Sequence, residues 1–342
     1  MPSADLPAIA RSLVATGKGI LAADESTGTI TKRLDAVGVA STESLRREYR
    51  EVLFTAPGLG EFISGVILYD ETLRQSGRDG TPFPELLRAQ GILPGIKVDR
   101  GAKRLAGFDG ERVTEGLDGL RERLEEYAKL GAVFTKWRAV IEIGPNRPTP
   151  FGLKANAHAL ARFAALSQEA GLVPIVEPEV LMDGDHPLAR HYEVTVAAQR
   201  AVFAALAEHR VQLEGMLLKP NMVLAGSASS PPAEVEEVVE ATLRALRETV
   251  PAAVPGIVFL SGGQSEVEAT KHLDALNRRG GQPWELSFSF GRALQETALK
   301  TWAGQAKNVT GAQRELLHRA RYNSAARLGR YSPAMEQLRT NR

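Results

Sequence analysis

Three apolar segments of the sequence end in two charged residues that lie two positions apart, and a fourth ends in a lysine followed by a proline. The charged residues are Lys97 with Asp99, Lys136 with Arg138, Glu177 with Glu179, and Lys219 before Pro220. In a β-strand, residues i and i+2 point to the same face, so each pair presents two charges together. A buried charge is costly unless it is paired or used. Any one pair is compatible with an ordinary ion pair at a strand end, but four such endings of both signs indicate one shared polar site.

Lys219 is the strongest candidate for a nucleophile. It follows the apolar run Gly-Met-Leu-Leu and precedes Pro220, which cannot extend a central strand ladder. A lysine in a partly dry site beside another cation, here Lys136, acquires a lowered pKa and attacks carbonyl carbons. Position alone gives at least equal weight to an alternative, in which the long lysine stem carries the amine from a strand end to water.

Nearby carboxylates favour the interpretation of Lys219 as a nucleophile. Schiff-base chemistry needs groups that donate and accept protons, first to form an iminium and then to cleave a carbon–carbon bond. Asp24, Glu177 and Glu179 supply such carboxylates. Two carboxylates in different environments can divide the acid and base roles, which a solvent-exposed lysine would not require.

The elements that must position these residues follow from hydrophobic periodicity. Short apolar runs bounded by Gly, Pro or charge predict eight strands, with helical patterns in the intervals. The predicted strands span residues 19–23, 65–69, 95–98, 132–137, 173–176, 215–218, 256–260 and 284–290. Eight alternations of strand and helix indicate an α/β fold with the parallel strands closed into a (β/α)8 TIM barrel. A doubly wound sheet is the alternative, but no GxGxxG motif follows the first strand. We predict one barrel domain over residues 1–330 and a mobile C-terminal tail over residues 331–342.

Two further groups of residues suggest phosphate binding. Ser261-Gly262-Gly263 follows the seventh predicted strand and Gly291-Arg292 follows the eighth, where barrels commonly bind phosphate through backbone N–H groups. The planar guanidinium of Arg292 suits phosphate oxygens. A second candidate anion site lies at the opposite edge, and its residues are Ser26, Thr29, Arg33 and Lys97. Two such sites predict a small bisphosphorylated carbonyl compound as substrate.

Composition narrows the possible partners, metal sites and cellular locations. The net charge of +1 gives no reason to expect nucleic acid or a membrane surface as partner. The chain has no cysteine, which excludes disulfides and thiolate metal sites and is consistent with a cytoplasmic location. We find no signal peptide and no apolar stretch of the roughly 20 residues that span a bilayer. A divalent-metal loop at Asp183-Gly184-Asp185-His186 with His191 is a weaker alternative, because Asp-Gly-Asp is common in turns.

With these motifs in place, the chain resembles class I fructose-bisphosphate aldolases, the metal-independent Schiff-base type, over nearly its whole length. Seven segments in family order carry the resemblance: Gly-Ile-Leu-Ala-Ala-Asp24-Glu-Ser, Gly-Ile-Lys97-Val-Asp, Lys136-Trp-Arg138, Val-Glu177-Pro-Glu179, Leu-Leu-Lys219-Pro-Asn, Leu-Ser261-Gly-Gly-Gln-Ser-Glu and Phe-Gly-Arg292-Ala-Leu-Gln. The resemblance implies reversible cleavage of fructose 1,6-bisphosphate to dihydroxyacetone phosphate and glyceraldehyde 3-phosphate, in glycolysis and gluconeogenesis. It also implies a homotetramer that uses neither a cofactor nor a metal.

The resemblance further implies roles for individual residues. Lys219 would form the Schiff base, and Glu177 would be the acid and base in carbinolamine dehydration. Asp24 and Lys136 would position hydroxyls and protons, with Glu179 also in the catalytic group. The phosphate of the ketone half would bind Ser261, Gly262, Gly263, Ser289, Gly291 and Arg292. The other end of the substrate would bind Ser26, Thr29, Arg33 and Lys97, and Arg138 is also placed among the substrate-binding residues.

One departure from the family concerns the C-terminus. Eukaryotic members end in a tyrosine on a mobile tail that assists proton exchange, whereas no aromatic residue follows Tyr331 here. Tyr331 or a carboxylate such as Glu177 takes that role, or the exchange is slower. The remaining alternatives are the same chemistry on fructose 1-phosphate or on a longer ketose bisphosphate, and a non-catalytic scaffold. The scaffold would need a broken site, and none of the catalytic residue types is replaced.

Overall fold

A computed structural model describes residues 5–337, and in it eight parallel strands form a closed barrel with helices around it. The strands are Gly19–Ala23 (β1), Ile63–Leu68 (β2), Leu93–Lys97 (β3), Ala102–Arg104 (β4), Arg112–Thr114 (β5), Phe134–Ile141 (β6), Val173–Val180 (β7), Leu217–Leu218 (β8), Gly256–Phe259 (β9) and Glu285–Phe290 (β10). Strands β4 and β5 form a separate antiparallel pair.

The helices fill the intervals between the strands, as the periodicity predicted. They are Leu6–Leu13 (α1), Thr27–Asp35 (α2), Glu43–Phe54 (α3), Asp70–Leu73 (α4), Phe83–Ala89 (α5), Leu120–Lys129 (α6), Pro150–Glu169 (α7), Leu188–Glu208 (α8), Val235–Thr249 (α9), Glu266–Arg279 (α10), Arg292–Trp302 (α11), Val309–Arg327 (α12) and Ala334–Gln337 (α13). Within residues 5–337, none of these helices combines the length and hydrophobicity needed to cross a bilayer.

Closure of the sheet confirms the predicted (β/α)8 TIM barrel. The strand order is β1-β10-β9-β8-β7-β6-β3-β2, and β1 pairs in parallel with both β2 and β10. All eight predicted barrel strands are present, but their ends differ. Strands β6 and β7 continue to Ile141 and Val180 and pair in register, with Arg138 opposite Glu177. The charges at these positions therefore lie inside the strands, because opposite charges on neighbouring strands stabilise the continued pairing.

Two local features were not predicted. The short β4–β5 pair follows Lys97 and Asp99, and its three-residue strands carry too many charges for an alternating apolar pattern. Strand β8 is only two residues long, because Leu213–Gly215 before it forms a 3-10 turn and Pro220 after it has no N–H to donate. Lys219 therefore lies immediately beyond the end of β8.

Alternation along the strands separates an inner and an outer face. On β6, Thr135 and Trp137 point outward to α7, where Thr135 Oγ1 is 2.9 Å from Ser167 Oγ and Trp137 stacks on Phe163. Phe134 faces the lumen and packs with other buried apolar residues there. A Cβ at Gly95 would overlap the ring of Phe134, so a glycine is needed on the neighbouring strand.

Helix α1 closes the N-terminal end of the barrel. Its buried residues Leu6, Ala10 and Leu13 belong to the apolar cluster that fills the lower lumen. Asp5 caps this helix by accepting a hydrogen bond from the Ala8 N–H at 3.0 Å. The apolar floor leaves the opposite, C-terminal end of the lumen as the open one.

The first part of the predicted tail is packed against the barrel. Tyr331 is buried, and its N–H donates to Asp274 on α10 at 2.8 Å. Its hydroxyl donates to Glu336 at 2.9 Å, and Glu336 also pairs with Arg319 on α12 at 2.5 Å. These contacts place Tyr331 and Glu336 against α10 and α12. Residues 338–342 lie outside the described residues, and the mobility of the tail stays a prediction.

Candidate active site

A cavity of about 810 Å³ opens at the C-terminal ends of the barrel strands. All the residues predicted as catalytic or substrate-binding line this cavity: Asp24, Ser26, Thr29, Arg33, Lys97, Lys136, Arg138, Glu177, Glu179, Lys219, Ser261, Gly262, Gly263, Ser289, Gly291 and Arg292. Barrel closure therefore brings together residues from both ends of the chain, at the end of the barrel where such folds carry their chemistry.

Four buried side chains of alternating charge form the centre of the cavity. Lys136 Nζ lies 2.7 Å from Asp24 Oδ2 and 3.0 Å from Glu177 Oε2, and Lys219 Nζ lies 3.3 Å from Glu177 Oε1. The residues Lys136, Glu177 and Lys219 are each only 3% exposed. Two cations and two carboxylates in one row compensate each other, which makes their burial tolerable.

The charges in this row shift one another's pKa. Burial raises the pKa of Asp24, but the positive charges of Lys136 and Lys219 outweigh burial and leave that pKa below its ordinary value. Burial likewise opposes ionisation of Glu177, yet Lys136, Lys219 and Arg138 lower its pKa. Burial lowers the pKa of Lys136, and its two carboxylate partners more than reverse this. Lys136 is therefore held as a cation, and both carboxylates as anions.

The backbone at Lys219 is fixed by its neighbours. The Lys219 N–H donates to the Val176 carbonyl on β7 at 2.8 Å, which aligns the residue after β8 with the strand that carries Glu177. Asn221, buried two residues further on, accepts from the Val180 N–H at 2.9 Å and donates to Thr195 at 3.1 Å. Sequence reasoning missed Asn221, although an asparagine directly after the Lys-Pro step was a visible signal.

Two ion pairs form the wall above this row. Glu179 pairs with Arg138, and Lys97 pairs with Asp99. Asp99 also accepts hydrogen bonds from the N–H groups of Gly101 at 3.0 Å and Arg138 at 3.1 Å. Glu179 thus contacts Arg138, and the carboxylate beside Lys219 is that of Glu177.

The loop after β9 and the start of α11 meet on one side of the cavity. Gly262 and Gly263 have φ values of +57° and +95°, which favour glycine, and a Cβ at Gly263 would lie 2.9 Å from Met182 Sδ. Among the described residues, the N–H groups of these two glycines have no protein acceptor. Helix α11 begins at Arg292, and within residues 5–337 the N–H groups of Arg292 and Ala293 have no acceptor and Arg292 makes no ion pair. These groups suit an anion such as phosphate.

The second predicted anion group is only partly brought together. Ser26 Oγ and Thr29 Oγ1 lie 3.2 Å apart at the start of α2. Arg33, on the same helix, pairs with Glu25, and a Cβ at Gly291 would lie 4.0 Å from its Nη2. Arg33 therefore lies beside the loop after β10, between the two predicted anion groups. Sequence reasoning did not identify Glu25, although it lies only eight residues before Arg33 on the segment that leads from β1 into α2.

The loop that was weighed as a metal site has a different arrangement. The rings of His186 and His191 stack with centroids 5.2 Å apart, and His191 Nδ1 accepts from the Leu224 N–H at 3.3 Å. Burial lowers the pKa of His191 to about 4, so the ring is neutral near pH 7. Among residues 5–337, no three His, Cys, Asp or Glu side chains are grouped so as to hold a metal ion.

A closed (β/α)8 barrel with a buried lysine against a carboxylate, flanked by groups suited to anions, defines a class of lyase that forms Schiff bases with phosphorylated carbonyl compounds. Comparison with known proteins gives the family. The family model described as fructose-bisphosphate aldolase class-I matches residues 5–342. The chain belongs to the class I fructose-bisphosphate aldolase family, as its motifs predicted.

Individual relatives agree with this assignment. The chain is 56% identical over 326 residues to a probable fructose-bisphosphate aldolase class 1 of Xanthomonas campestris, covering 94% of this chain and 97% of that relative. It is 56% identical to the cytosolic fructose-bisphosphate aldolase 6 of Arabidopsis thaliana, covering 92% and 88%. A solved structure of Plasmodium falciparum fructose-bisphosphate aldolase, in complex with TRAP and a small-molecule inhibitor, superposes with a TM-score of 0.94 at 50% identity and covers 96% and 95%. Reversible aldol cleavage of fructose 1,6-bisphosphate, a glycolytic lyase reaction, is the activity of this family and of this chain.

Proposed function

We propose that Lys219 forms the Schiff base with the C2 carbonyl of fructose 1,6-bisphosphate and that Glu177 transfers the protons. The observation that carries this proposal is the contact between Lys219 Nζ and Glu177 Oε1 at 3.3 Å inside a buried cluster. An amine that attacks a carbonyl must lose protons, and the acceptor must lie within hydrogen-bond reach or close to it before substrate binds. Glu177 is the carboxylate that meets this requirement.

The steps follow from the position of Glu177. The amine nitrogen adds to C2, and Glu177 protonates the carbinolamine hydroxyl, which leaves as water and yields an iminium ion. The iminium withdraws electrons from the C3–C4 bond. A base takes the proton of the C4 hydroxyl, the bond breaks, and glyceraldehyde 3-phosphate leaves. The remaining enamine is protonated at C3, and water releases dihydroxyacetone phosphate and restores the lysine.

Lys136 has a different role from Lys219 because it contacts two carboxylates. Its distances of 2.7 Å to Asp24 and 3.0 Å to Glu177 keep it charged, whereas Lys219 has one carboxylate at a longer distance. Lys136 therefore holds Asp24 and Glu177 in place and orients substrate hydroxyls. Glu179 fixes the guanidinium of Arg138 at the cavity wall, where Arg138 can contact the substrate.

The two anion groups are proposed to bind the two phosphates. Ser261, Gly262, Gly263, Ser289, Gly291 and Arg292 bind the phosphate of the ketone half, with Arg33 close to them. Ser26, Thr29 and Lys97 bind the other phosphate. Replacing Lys97 and Ser26 should impair cleavage of the bisphosphate and spare cleavage of fructose 1-phosphate. Equal impairment of both substrates would contradict this division.

We also propose that the protein is a cytoplasmic homotetramer without cofactor. The homotetramer is supported by the family resemblance, and two plant relatives are named as cytosolic or cytoplasmic forms. Analytical ultracentrifugation at micromolar concentration tests the assembly, and a monomeric mass would contradict it.

Borohydride trapping tests the chemistry. The protein is incubated with fructose 1,6-bisphosphate and EDTA, reduced, digested and analysed by mass spectrometry. We expect a dihydroxyacetone phosphate adduct on the peptide containing Lys219, and none in a Lys219→Met variant. Cleavage that proceeds without an adduct and is abolished by EDTA would overturn the lysine mechanism. Neither adduct nor cleavage would favour a binding protein.

A further inference from the structure

Arg50 is a buried arginine beside the cavity that the mechanism above does not use. It lies on α3, is 2% exposed, and its Nη2 lies 2.7 Å from Oε2 of Glu25. Within the described residues, its Nη1 has no hydrogen-bond partner. Burying a guanidinium with an unsatisfied donor is costly. A purely structural ion pair would be expected to satisfy more of the guanidinium donors. The buried charge of Arg50 therefore points to a role at the neighbouring cavity.

Glu25 joins Arg50 to the active site. It follows Asp24 directly and also lines the cavity. Its Oε1 accepts from Arg33 Nη1 and from Gln295 Nε2 at 3.1 Å. Burial opposes ionisation of Glu25, but Arg50 and Arg33 outweigh burial and lower its pKa. One carboxylate is thus shared by two arginines, and the three groups together carry one net positive charge.

The same network reaches the start of α11. Gln295 on α11 also donates to the Ala22 carbonyl at 2.7 Å and accepts from the Tyr49 hydroxyl at 3.1 Å. Arg33 lines the cavity, and its Nη2 would lie 4.0 Å from a Cβ at Gly291. Arg33 therefore has Glu25 on one side and the proposed ketone-phosphate site on the other.

We propose that Arg50 is a positioning residue that acts through Glu25 to set the location and available charge of Arg33 at the ketone-phosphate site. Because Glu25 divides its charge between two arginines, Arg33 keeps positive charge for a phosphate. Without Arg50, Glu25 would pair with Arg33 alone, and the net charge of the group would fall to zero. This inference rests on the proposed role of the site in binding the ketone phosphate.

The first test is a set of single variants in the full chain. Arg50→Met removes the charge and conserves most of the volume, and we expect it to raise the KM for fructose 1,6-bisphosphate and the inhibition constant of inorganic phosphate about tenfold. We expect kcat to change less than about threefold, and Arg50→Lys to restore most of the affinity. Arg47→Met on the same helix is the matched control. Arg47 pairs with Glu51 at 3.2 Å and does not line the cavity, so the Arg47→Met variant should have the same KM as the parent chain.

A double-mutant cycle separates positioning from structural support. If Arg50 acts through Arg33, adding Arg50→Met to Arg33→Met should raise KM by less than about twofold more. If the increases in KM of the two single variants multiply fully in the double variant, the proposal is overturned. A fall in kcat with unchanged KM in Arg50→Met would also overturn it. If neither Arg50→Met nor Arg50→Gln folds, Arg50 is a structural residue and the proposal is wrong.

The Arg33→Met variant distinguishes failure of the positioning role of Arg50 from failure of the proposed role of Arg33 at the phosphate site. An impaired Arg33→Met beside an unaffected Arg50→Met would overturn the positioning role alone. If Arg33→Met also leaves KM and phosphate inhibition unchanged, Arg33 does not act at the site and the positioning role falls with it. The Schiff-base assignment is independent of both results, because borohydride trapping on Lys219 measures it separately.

Discussion

The two ends of the barrel lumen are built on the same strands and have opposite chemistry. The lumen-facing residues are Phe134 followed by Lys136, Ile175 followed by Glu177, and Leu217 followed by Lys219. Lumen-facing side chains recur at every second position, so one step of two residues changes an apolar layer into an ionic one. The lower layer is closed by α1 and the upper layer opens into the cavity.

This difference shows how the fold separates stability from chemistry. The lower layer gains free energy from apolar burial and keeps water away from the base of the ionic row. The upper layer gains little, because desolvation of its charges offsets their attraction. Substitutions in the two layers should therefore affect different measurements.

The largest effect is expected in the upper layer. Lys219→Met should lower kcat by at least about 10⁴-fold, or ~5.5 kcal/mol in the barrier, because no other amine replaces the nucleophile. The free energy of unfolding in urea should change by less than about 1–2 kcal/mol, since methionine fills the space of the stem and Glu177 keeps Lys136 as its partner. Residual turnover above about one hundredth of the original would contradict the role of Lys219.

The lower layer should respond in the opposite way. Phe134→Ala should cost about 3–5 kcal/mol in the free energy of unfolding, because it empties a buried ring against Gly95. The folded variant should keep kcat within about fivefold. Urea denaturation and steady-state kinetics measure the two effects, with Phe134→Leu as a milder control. A large loss of kcat at unchanged stability would remove the distinction between the layers.

Of the two lumen layers, acid should weaken only the upper one. The lowered pKa of Asp24 means that its contribution to stability is present above its ordinary value of 3.8 and is lost as the pH falls through the folded value. Asp24→Asn should therefore lose about 1 kcal/mol less stability than the parent chain between about pH 6 and pH 3. His191 adds the same pH dependence to both proteins and cancels in the comparison. Phe134→Leu should keep the parent slope, and an equal slope in all three proteins would contradict the prediction.

A small effect on turnover is also expected from a segment outside the lumen. Deleting residues 334–342 removes Glu336, the partner of Arg319 and Tyr331, and should cost about 1–3 kcal/mol of stability. Turnover should fall by less than about tenfold, or ~1.4 kcal/mol in the barrier. Glu336→Gln in the full chain separates loss of this ion pair from loss of the segment. A larger fall in turnover would give the tail a role in proton exchange.

Much of the fold and the site was predictable because it depends on local pattern. The eight strands follow from short apolar runs, and Lys97, Lys136, Glu177 and Lys219 follow from charges at strand ends. The period of two that orients side chains on a strand is a property of the backbone, so it can be read without knowing the partner strand. The sequence also placed Gly262 and Gly263 in the loop after the seventh predicted strand, and the structure gives both residues positive φ values.

The choice of partners was decided only by the tertiary structure. The sequence by itself determined that two lysines and several carboxylates would meet, but not that Glu177 lies beside Lys219 while Glu179 pairs with Arg138. It also did not show that residues 331–337 pack against α10 and α12, or that Glu25 lies between Arg33 and Arg50. Most of these contacts join residues far apart in the chain, and those between barrel strands depend on the register of a sheet that is set only when the barrel closes.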